Sequence, residues 1–210
     1  MWKCKTVLAL APHTDDIEFG AGGLIGRLIE SGAAVHSVAF CNAWQSLPAG
    51  MPPDTLINEV REAHSELGIS LENLTVLDFP VRNFDSRRQE ILEYLVLRKN
   101  ELQPDLVLVP ASTDVHQDHQ VICQEARRAF KTTSLLGYEL PWNNYNFHSS
   151  ALVPLEPRHV LQKIKALQAF QSQAHRPYAD EAFIRGWMRG RGVTAGVHSA
   201  EAFEVLRWVL

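Results

Sequence analysis

The chain has 210 residues, of which 46% are hydrophobic and 21% are charged, and its formal net charge is −4 at pH 7. This length allows one ordinary domain with its own core, so we expect a single domain over residues 1–210. This small negative net charge gives no electrostatic reason to expect a nucleic acid or an anionic membrane as a partner.

The three cysteines form no CxxC pair, which argues against a disulfide framework or a cysteine zinc site and favours a reducing compartment. No apolar run approaches the roughly 20 residues that a membrane helix needs. The apolar run Val7–Ala11 is shorter than the roughly 7–15 residues of a signal-peptide core, so we interpret it as a buried strand. We therefore expect a cytoplasmic protein without membrane insertion.

Short β-rich runs alternate with amphipathic stretches over the first two thirds of the chain, which is typical of βαβ units around a mainly parallel sheet. The predicted strands are Thr6–Ala11, Val35–Cys41, Leu74–Phe79 and Asp105–Pro110, followed by a short run at Leu135–Glu139 and a last strand or short element at Ala202–Trp208. The predicted helices are Gly22–Ser31, Leu56–Leu67, Arg88–Leu102, His119–Phe130 and Val160–Phe170. The Asn-rich and aromatic segment Trp142–Ser150 is interpreted as a substrate loop or a lid.

Two polar clusters directly follow two of the predicted strands. The first is Pro12–Asp16 and the second is Asp114–His119. Right-handed crossovers bring the carboxyl ends of parallel strands to one edge of a sheet, where ligands bind, so the two clusters can meet there. Burying several unpaired carboxylates is costly unless a cation neutralises them. The sequence therefore predicts a metal site at this edge.

Imidazole and carboxylate are ligands that zinc accepts, and a catalytic zinc ion takes three ligands from the protein and keeps one position open. His13 and Asp16, three residues apart across a strand-to-helix turn, can hold one ion, and the second cluster supplies a third ligand. Asp15 is then free to accept a proton as general base. His116, as an imidazolium, can polarise the substrate carbonyl or protonate the leaving amine, with Asp118 fixing its tautomer.

Each of these residues taken alone has an ordinary structural explanation. Asp16 or Asp118 can serve as a helix N-cap, but two such clusters, each after a β-rich run, are harder to explain by capping. Arg82 and Asp85 follow the third predicted strand, so they are placed at the same edge and can hold sugar hydroxyls. An ordinary loop ion pair explains that pair equally well.

The two clusters resemble the PHPDD and HPDH motifs of the PIG-L/LmbE-like zinc-dependent N-deacetylases. Three further segments are similar to that family: Glu59–Gly68 resembles its helix ending in LG, Lys165–Gln173 its K-AL…SQ helix, and Ala200–Phe203 its AEAF segment. The resemblance covers essentially the whole chain. It implies a Rossmann-like, three-layer α/β fold.

Carried over position by position, the resemblance implies zinc on His13, Asp16 and His119, with Asp15 as general base. His116, paired with Asp118, would be the charged partner of the tetrahedral intermediate. The implied reaction is removal of an N-acetyl group from an N-acetylglucosamine-type amino sugar or its conjugate, with Zn²⁺ or another divalent transition metal as cofactor. The expected partner is this small-molecule substrate, and assembly into a homo-oligomer is left open.

The chain also departs from the family pattern. Thr14 and Gln117 replace the prolines of the two motifs, and neither position is a ligand. Leu56 stands where the family often has arginine, so substrate binding on that side is expected to differ. His198 stands near the position of a tyrosine that often precedes the AE pair, which makes His198 a candidate substrate-binding residue.

Two alternative functions remain on the same residues. One is another metal-dependent amidase or an esterase, and the other is a catalytically degenerate member that only binds a sugar. The presence of both Asp15 and His116 argues against the second alternative, because a pure binder needs neither of them.

Overall fold

A seven-stranded sheet forms the centre of the computed structural model, which describes residues 4–209. Its strands are β1 (Thr6–Ala11), β2 (Ala34–Ala39), β3 (Leu74–Val76), β4 (Leu106–Pro110), β5 (Ser134–Tyr138), β6 (Ala151–Pro154) and β7 (Ala200–Arg207). Their spatial order is β3-β2-β1-β4-β5-β7-β6. The first five strands pair in parallel, and β7 pairs antiparallel with both of its neighbours. The predicted α/β fold with a mainly parallel sheet is confirmed.

Six α-helices cover the sheet: α1 (Asp16–Glu30), α2 (Thr55–Leu67), α3 (Arg88–Leu102), α4 (Gln117–Ala129), α5 (Pro157–Gln168) and α6 (Glu181–Ala195). Helices α1, α2 and α5 pack together as one group, and α3 packs on α4 as a second group. Because crossovers between parallel strands are right-handed, the connections from β1 to β3 and those from β3 to β5 lie on opposite faces. The result is the three-layer arrangement expected from the sequence.

The central strands are apolar along their whole length. Every residue of Val7–Ala11 and of Leu106–Pro110 is buried. A continuous apolar run of this kind is typical of a parallel strand that has helices on both faces, whereas a strand with one solvated face would alternate. This is why β1 and β4 could be located from the sequence.

Some elements differ from the sequence-based expectation. Helix α1 begins at Asp16 instead of Gly22, so the first motif runs directly into the helix. Strand β6 and helix α6 were not predicted. Helix α6 contains Gly186, Gly190 and Gly192, which lower its intrinsic helix propensity, and it forms because Ile184 and Met188 are buried on its inner face. Tertiary packing therefore outweighs local propensity there.

Helix α1 lies unusually close to the sheet at Gly20. A Cβ atom at this position would fall 2.6 Å from Cγ of Tyr138 on β5, which is closer than real contacts allow. Tyr138 itself is fully buried and donates its hydroxyl hydrogen to the carbonyl oxygen of Leu10 at 3.0 Å. The glycine after the first motif therefore permits tight packing beside the site.

A buried ion pair joins α5, β7 and α1. Lys163 Nζ donates to Glu201 Oε1 at 2.7 Å and to the carbonyl oxygen of Phe19. The Glu201 carboxylate also accepts the backbone N–H groups of Gly23 and Leu24, at 2.9 and 2.7 Å. Both charges thus have several hydrogen-bond partners, which is the condition under which a buried pair is tolerated.

Within residues 4–209, every helix falls short of the length and apolar character that crossing a membrane requires.

Candidate metal centre and active site

The two polar clusters meet at the switch point of the sheet. The chain continues from β1 to β2 and β3 on one side, while β4 and β5 lie on the other side of β1. Ligands bind outside the carboxyl ends of the strands at such a point. His13 and Asp16 follow β1, and the segment Asp114–His119 follows β4, its immediate neighbour.

Three potential ligand atoms form a small triangle. His13 Nδ1 lies 3.3 Å from Asp16 Oδ2 and 3.2 Å from His119 Nε2, and His119 Nε2 lies 3.4 Å from Asp16 Oδ2. A tetrahedral zinc ion with bonds of roughly 2.0–2.2 Å separates neighbouring ligand atoms by about 3.4 Å. The two nitrogens and one oxygen therefore fit one zinc ion and leave a fourth position free.

A second, overlapping set contains His116. One nitrogen from each of His13, His116 and His119 lies within 4.8 Å of the others, so these three could also hold a metal ion. This triangle is looser than the one that contains Asp16. In addition, His116 Nδ1 already accepts the backbone N–H of Asp118 at 3.2 Å. The set with Asp16 is the better fit to a single small cation.

Each of the two tightly placed histidines is held through its other ring nitrogen. His119 Nδ1 donates to Asp114 Oδ2 at 2.8 Å, and His13 Nε2 donates to Asp118 Oδ2 at 3.1 Å. Both carboxylates are buried. These bonds fix the tautomers that leave His119 Nε2 and His13 Nδ1 available as ligand atoms, an arrangement common around bound metals.

Asp16 and Asp118 do not serve as helix caps through their side chains. Asp16 Oδ2 accepts the backbone N–H of His13 at 2.7 Å, while Asp118 accepts from His13 and from the backbone N–H groups of Arg82 and Phe84. The N-cap of α4 is His116. The capping alternative for the two aspartates is therefore wrong.

The pKa values of His13 and Asp16 reflect this crowding of charge. Burial alone would lower the pKa of His13, but its hydrogen bonds to Asp118 and Asp16 outweigh burial and raise the pKa to about 10. Burial alone would raise the pKa of Asp16, but the charge of His119 and the hydrogen bond to His13 hold it at about 2. Without a metal, a proton on His13 thus supplies the positive charge that these carboxylates require.

Asp15 has a different environment from that of Asp16. Burial and the neighbouring Asp16 charge raise the pKa of Asp15 to about 7. A cation bound beside it would lower this value, because an opposite charge favours the ionised carboxylate. Asp15 is half-buried and lines the cavity, where it can exchange a proton with a bound molecule.

His116 differs from the expectation of a charged group paired with Asp118. The Asp118 carboxylate contacts His13, and only the backbone N–H of Asp118 reaches the His116 ring. Burial and the charges of His119 and His13 lower the pKa of His116 to about 4. His116 is therefore a neutral imidazole near pH 7, and because Nδ1 accepts a hydrogen bond, its proton lies on Nε2.

A cavity of about 290 Å³ opens above these residues. We call His13, Asp15, Asp16, His116 and His119 its floor, and Arg82, Trp142, Arg176 and Tyr178 its rim; all of them line the cavity. Trp142 stacks on Tyr178 with ring centroids 4.1 Å apart, and Phe19 contacts both rings edge-on. The cavity therefore combines a polar floor with an aromatic wall, and one end of the predicted loop Trp142–Ser150 contributes to it.

The three predicted substrate-binding residues lie in different places. Arg82 lines the cavity. Asp85 does not: its side chain is 81% exposed and lies 3.8 Å from Arg88, so Asp85 pairs with Arg88 and not with Arg82, as the alternative interpretation had it. His198 is exposed and lines a separate cavity with Arg185 and Arg189. The structure therefore brings only Arg82 to the site.

Three residues at the candidate site received no role from the sequence. Asp114 was recognised as part of the second cluster, but its bond to His119 depends on the fold. Arg176 and Tyr178 lie in the irregular segment between α5 and α6, where no periodicity marks them. The combination of arginine, proline and tyrosine at 176–178 was the only sequence feature of this segment that could have suggested a ligand-binding role.

The chain is similar to a known family of deacetylases and to a curated deacetylase. The model of the PIG-L family, described as GlcNAc-PI de-N-acetylase, matches residues 8–130. The protein YaiS of Escherichia coli K12, described as an uncharacterised deacetylase, is 26% identical over 177 residues, which cover 81% of this chain and 92% of YaiS.

Two solved structures show the same fold. The N,N'-diacetylchitobiose deacetylase of Pyrococcus horikoshii, 20% identical, matches with a TM-score of 0.81 over 97% of this chain and 84% of its own. The 4-carboxy-2-hydroxymuconate hydratase GalB of Pseudomonas putida KT2440, 19% identical, matches with a TM-score of 0.78 over 98% of each chain. The family match covers more than half of the 210 residues and includes both motif clusters, and the chain therefore belongs to the PIG-L family of de-N-acetylases.

Proposed function

We propose that this protein is a zinc-dependent hydrolase that removes the N-acetyl group from an N-acetylglucosamine-type amino sugar or its conjugate. The observation that carries the proposal is the triangle of His13 Nδ1, Asp16 Oδ2 and His119 Nε2, with sides of 3.2–3.4 Å, beside the carboxylate of Asp15. Family membership supports the same reaction class.

The donor set suits zinc in its chemistry as well as in its spacing. Two imidazoles and one carboxylate, each held by further hydrogen bonds, are typical of a catalytic zinc site. When bound, such an ion lowers the pKa of a water molecule to roughly 7 and polarises a carbonyl oxygen. Mixed nitrogen and oxygen ligands also accept other divalent transition metals, so the proposal names zinc as the first ion to test.

Asp15 and His116 supply the proton transfers of the proposed reaction. Asp15 accepts a proton from the attacking water and returns it to the departing amine, because it lines the cavity next to the ligand triangle. His116 donates the hydrogen on Nε2 to the amide oxygen as negative charge develops there. A neutral imidazole is sufficient for this donation, so the role does not require an imidazolium.

The aromatic wall supports a sugar as substrate. The ring faces of Trp142 and Tyr178 give a flat apolar surface, while the floor supplies polar groups that can orient hydroxyls and the acetamido group. A volume of about 290 Å³ lies just below the range of roughly 300–1,000 Å³ for small-molecule sites. The cavity is thus suited to one sugar unit, with any conjugated part extending beyond the rim.

The first experiment measures acetate release from N-acetylglucosamine and its conjugates, before and after chelation and after addition of zinc. We expect release that is lost on chelation and restored by zinc. A parallel series with O-acetyl sugars separates an amidase from an esterase. No release from any N-acetyl substrate by protein that carries one metal ion per chain would contradict the proposed function.

A matched variant separates catalysis from sugar binding. Asp15→Asn protein that still carries metal and binds the sugar but releases no acetate supports a catalytic site. If wild-type protein binds N-acetyl sugars and releases nothing, the chain is a degenerate member that only binds a sugar. The fold alone does not decide, since the hydratase GalB shares it.

A further inference from the structure

We propose that Arg82 and Arg176 select an amino sugar that carries an anionic group, either a phosphoryl group or a carboxylate. This inference rests on the proposed function, since it concerns the substrate of the same site. Both arginines line the cavity above the ligand triangle, and both have exposed side chains. They come from separate loops, Arg82 after β3 and Arg176 between α5 and α6.

Neither guanidinium has an ionic partner among residues 4–209, and neither makes a side-chain hydrogen bond there. Most arginines in this part of the chain do have partners. Carboxylates pair with Arg87, Arg88, Arg98, Arg128, Arg158, Arg185 and Arg191, and backbone carbonyls accept from Arg27, Arg189 and Arg207. Arg61 and Arg127 also lack a partner, but they lie on helices and do not line the cavity.

The backbone of Arg82 gives a second reason to assign it a role. Its φ angle is 63°, in the left-handed region that favours glycine. The conformation is held by Asp118 Oδ2, which accepts the Arg82 N–H at 2.6 Å and also holds His13 Nε2. A glycine would satisfy this backbone more easily. Because Asp118 holds the backbone of Arg82 in place, the side chain of Arg82 extends from a fixed position next to the floor.

Guanidinium groups recognise a particular ligand chemistry. A planar guanidinium offers parallel N–H donors that match two oxygens of a phosphate or a carboxylate. With the sugar ring against Trp142 and the acetamido group on the floor, a substituent of the sugar extends to the rim where Arg82 and Arg176 lie. Two unpaired cations there favour an anionic substituent over a neutral one.

The test compares substrates that differ in this substituent on zinc-loaded protein. The panel is N-acetylglucosamine, its 1-phosphate and 6-phosphate, uridine diphosphate N-acetylglucosamine as a diphosphate-linked conjugate, and N-acetylmuramic acid as a carboxylate. We expect kcat/KM for one anionic member to exceed that for N-acetylglucosamine by about tenfold or more. The substrate with the highest kcat/KM shows whether the site prefers a terminal phosphate, a linked phosphate or a carboxylate.

Variants assign the preference to the two arginines. Arg82→Gln and Arg176→Gln should each lower the ratio of kcat/KM for the anionic and the neutral substrate by about tenfold, mainly through KM. Arg82→Lys and Arg176→Lys should recover part of the ratio, since they keep the charge but lose the planar donor pair. Arg61→Gln is the matched control and should leave the ratio unchanged.

Binding of the deacetylated products, measured by calorimetry, keeps this inference separate from the proposed function. If no substrate releases acetate but glucosamine phosphates bind and the Gln variants weaken that binding, the proposed function fails and the anion preference stands. If the Arg82→Gln/Arg176→Gln double variant binds them as tightly as wild type, the metal alone holds the anion. That result, or an equal preference for neutral and anionic sugars, would overturn the inference.

Discussion

His13 and His119 on the floor of the cavity each have a second ring nitrogen bonded to a buried carboxylate, whereas Arg82 and Arg176 at the rim are exposed and have no ionic partner in residues 4–209. The floor comes from the ends of adjacent parallel strands, and the rim comes from loops that are distant in sequence. Rigid support suits groups that must hold a cation at fixed distances, and loops suit groups that choose a substrate. Under the proposed function, the floor would carry out the reaction and the rim would select the substrate.

The largest effect should follow loss of the metal from the floor. His13→Ala removes one of the three ligand atoms. It also removes the imidazole that pairs with the carboxylates of Asp16 and Asp118. We expect acetate release to fall to background and the metal content, measured by atomic absorption, to fall well below one ion per chain. Full activity in a metal-free His13→Ala protein would contradict the assignment.

The next largest effect should follow removal of the general base. Asp15→Asn keeps the shape of the side chain and removes its ability to take up a proton, so kcat should fall by about 10²–10⁴-fold. Metal content should stay at the wild-type level, because Asp15 is not part of the triangle. Wild-type turnover by the zinc-loaded variant would exclude this role.

A smaller effect should follow when the hydrogen bonds that orient the two floor histidines are weakened and the ligand residues themselves are unchanged. Asp114→Asn and Asp118→Asn weaken the bonds that orient His119 and His13. We expect each to lower metal affinity roughly 10–100-fold in competition with a chelator. Asp85→Asn is the control, since that carboxylate is 81% exposed. Equal affinities in all three would show that the support is not needed.

Packing behind the floor should have a measurable effect on stability. Gly20→Ala places a methyl group against the Tyr138 ring, so we expect a loss of about 1–3 kcal/mol in the free energy of unfolding, measured with denaturant. Gly186→Ala is the matched control on α6: nothing lies within 4 Å of its new Cβ atom, and it should stabilise the protein by roughly 0.5–1 kcal/mol. Similar changes in both variants would argue against the close approach.

The smallest effect should come from the aromatic part of the rim. Trp142→Ala removes the stacked partner of Tyr178, and we expect KM for the amino sugar to rise by about 2- to 10-fold with little change in kcat. Tyr145→Ala is the control from the same segment, because Tyr145 is 79% exposed and does not line the cavity.

The same assay on Asp85→Ala and His198→Ala tests the predicted substrate-binding roles of Asp85 and His198, neither of which lines the cavity.

The floor could be predicted from the sequence to a greater extent than the rim. His13, Asp16 and His119 stand in two compact clusters, and each cluster follows a strand whose continuous apolar pattern is unmistakable. Arg176 and Tyr178 lie in an irregular segment without periodicity. The helix that follows, α6, was not predicted because its glycines lower the helix propensity of the sequence. Such segments acquire their positions from packing, which local sequence does not encode.

Even within the floor, the pairing of side chains was not determined by sequence. Asp118 stands next to His119 and two residues from His116, so nearness along the chain suggested His116 as its partner. Its carboxylate instead bonds His13, which is 105 residues away. The first turn of α4 directs this side chain across to β1, and that direction depends on how α4 packs on the sheet.

Residue patterns alone were enough to derive the α/β fold, the two motif clusters at one edge of the sheet, and the residue types that a metal requires. These follow from short-range periodicity and from the rule that parallel strands end on one side. Three features required the folded structure: which carboxylate holds which histidine, the lowered pKa of His116, and the position of Arg82 and Arg176 on one cavity. Those properties depend on distances between segments far apart in the chain, and packing of the whole molecule sets such distances.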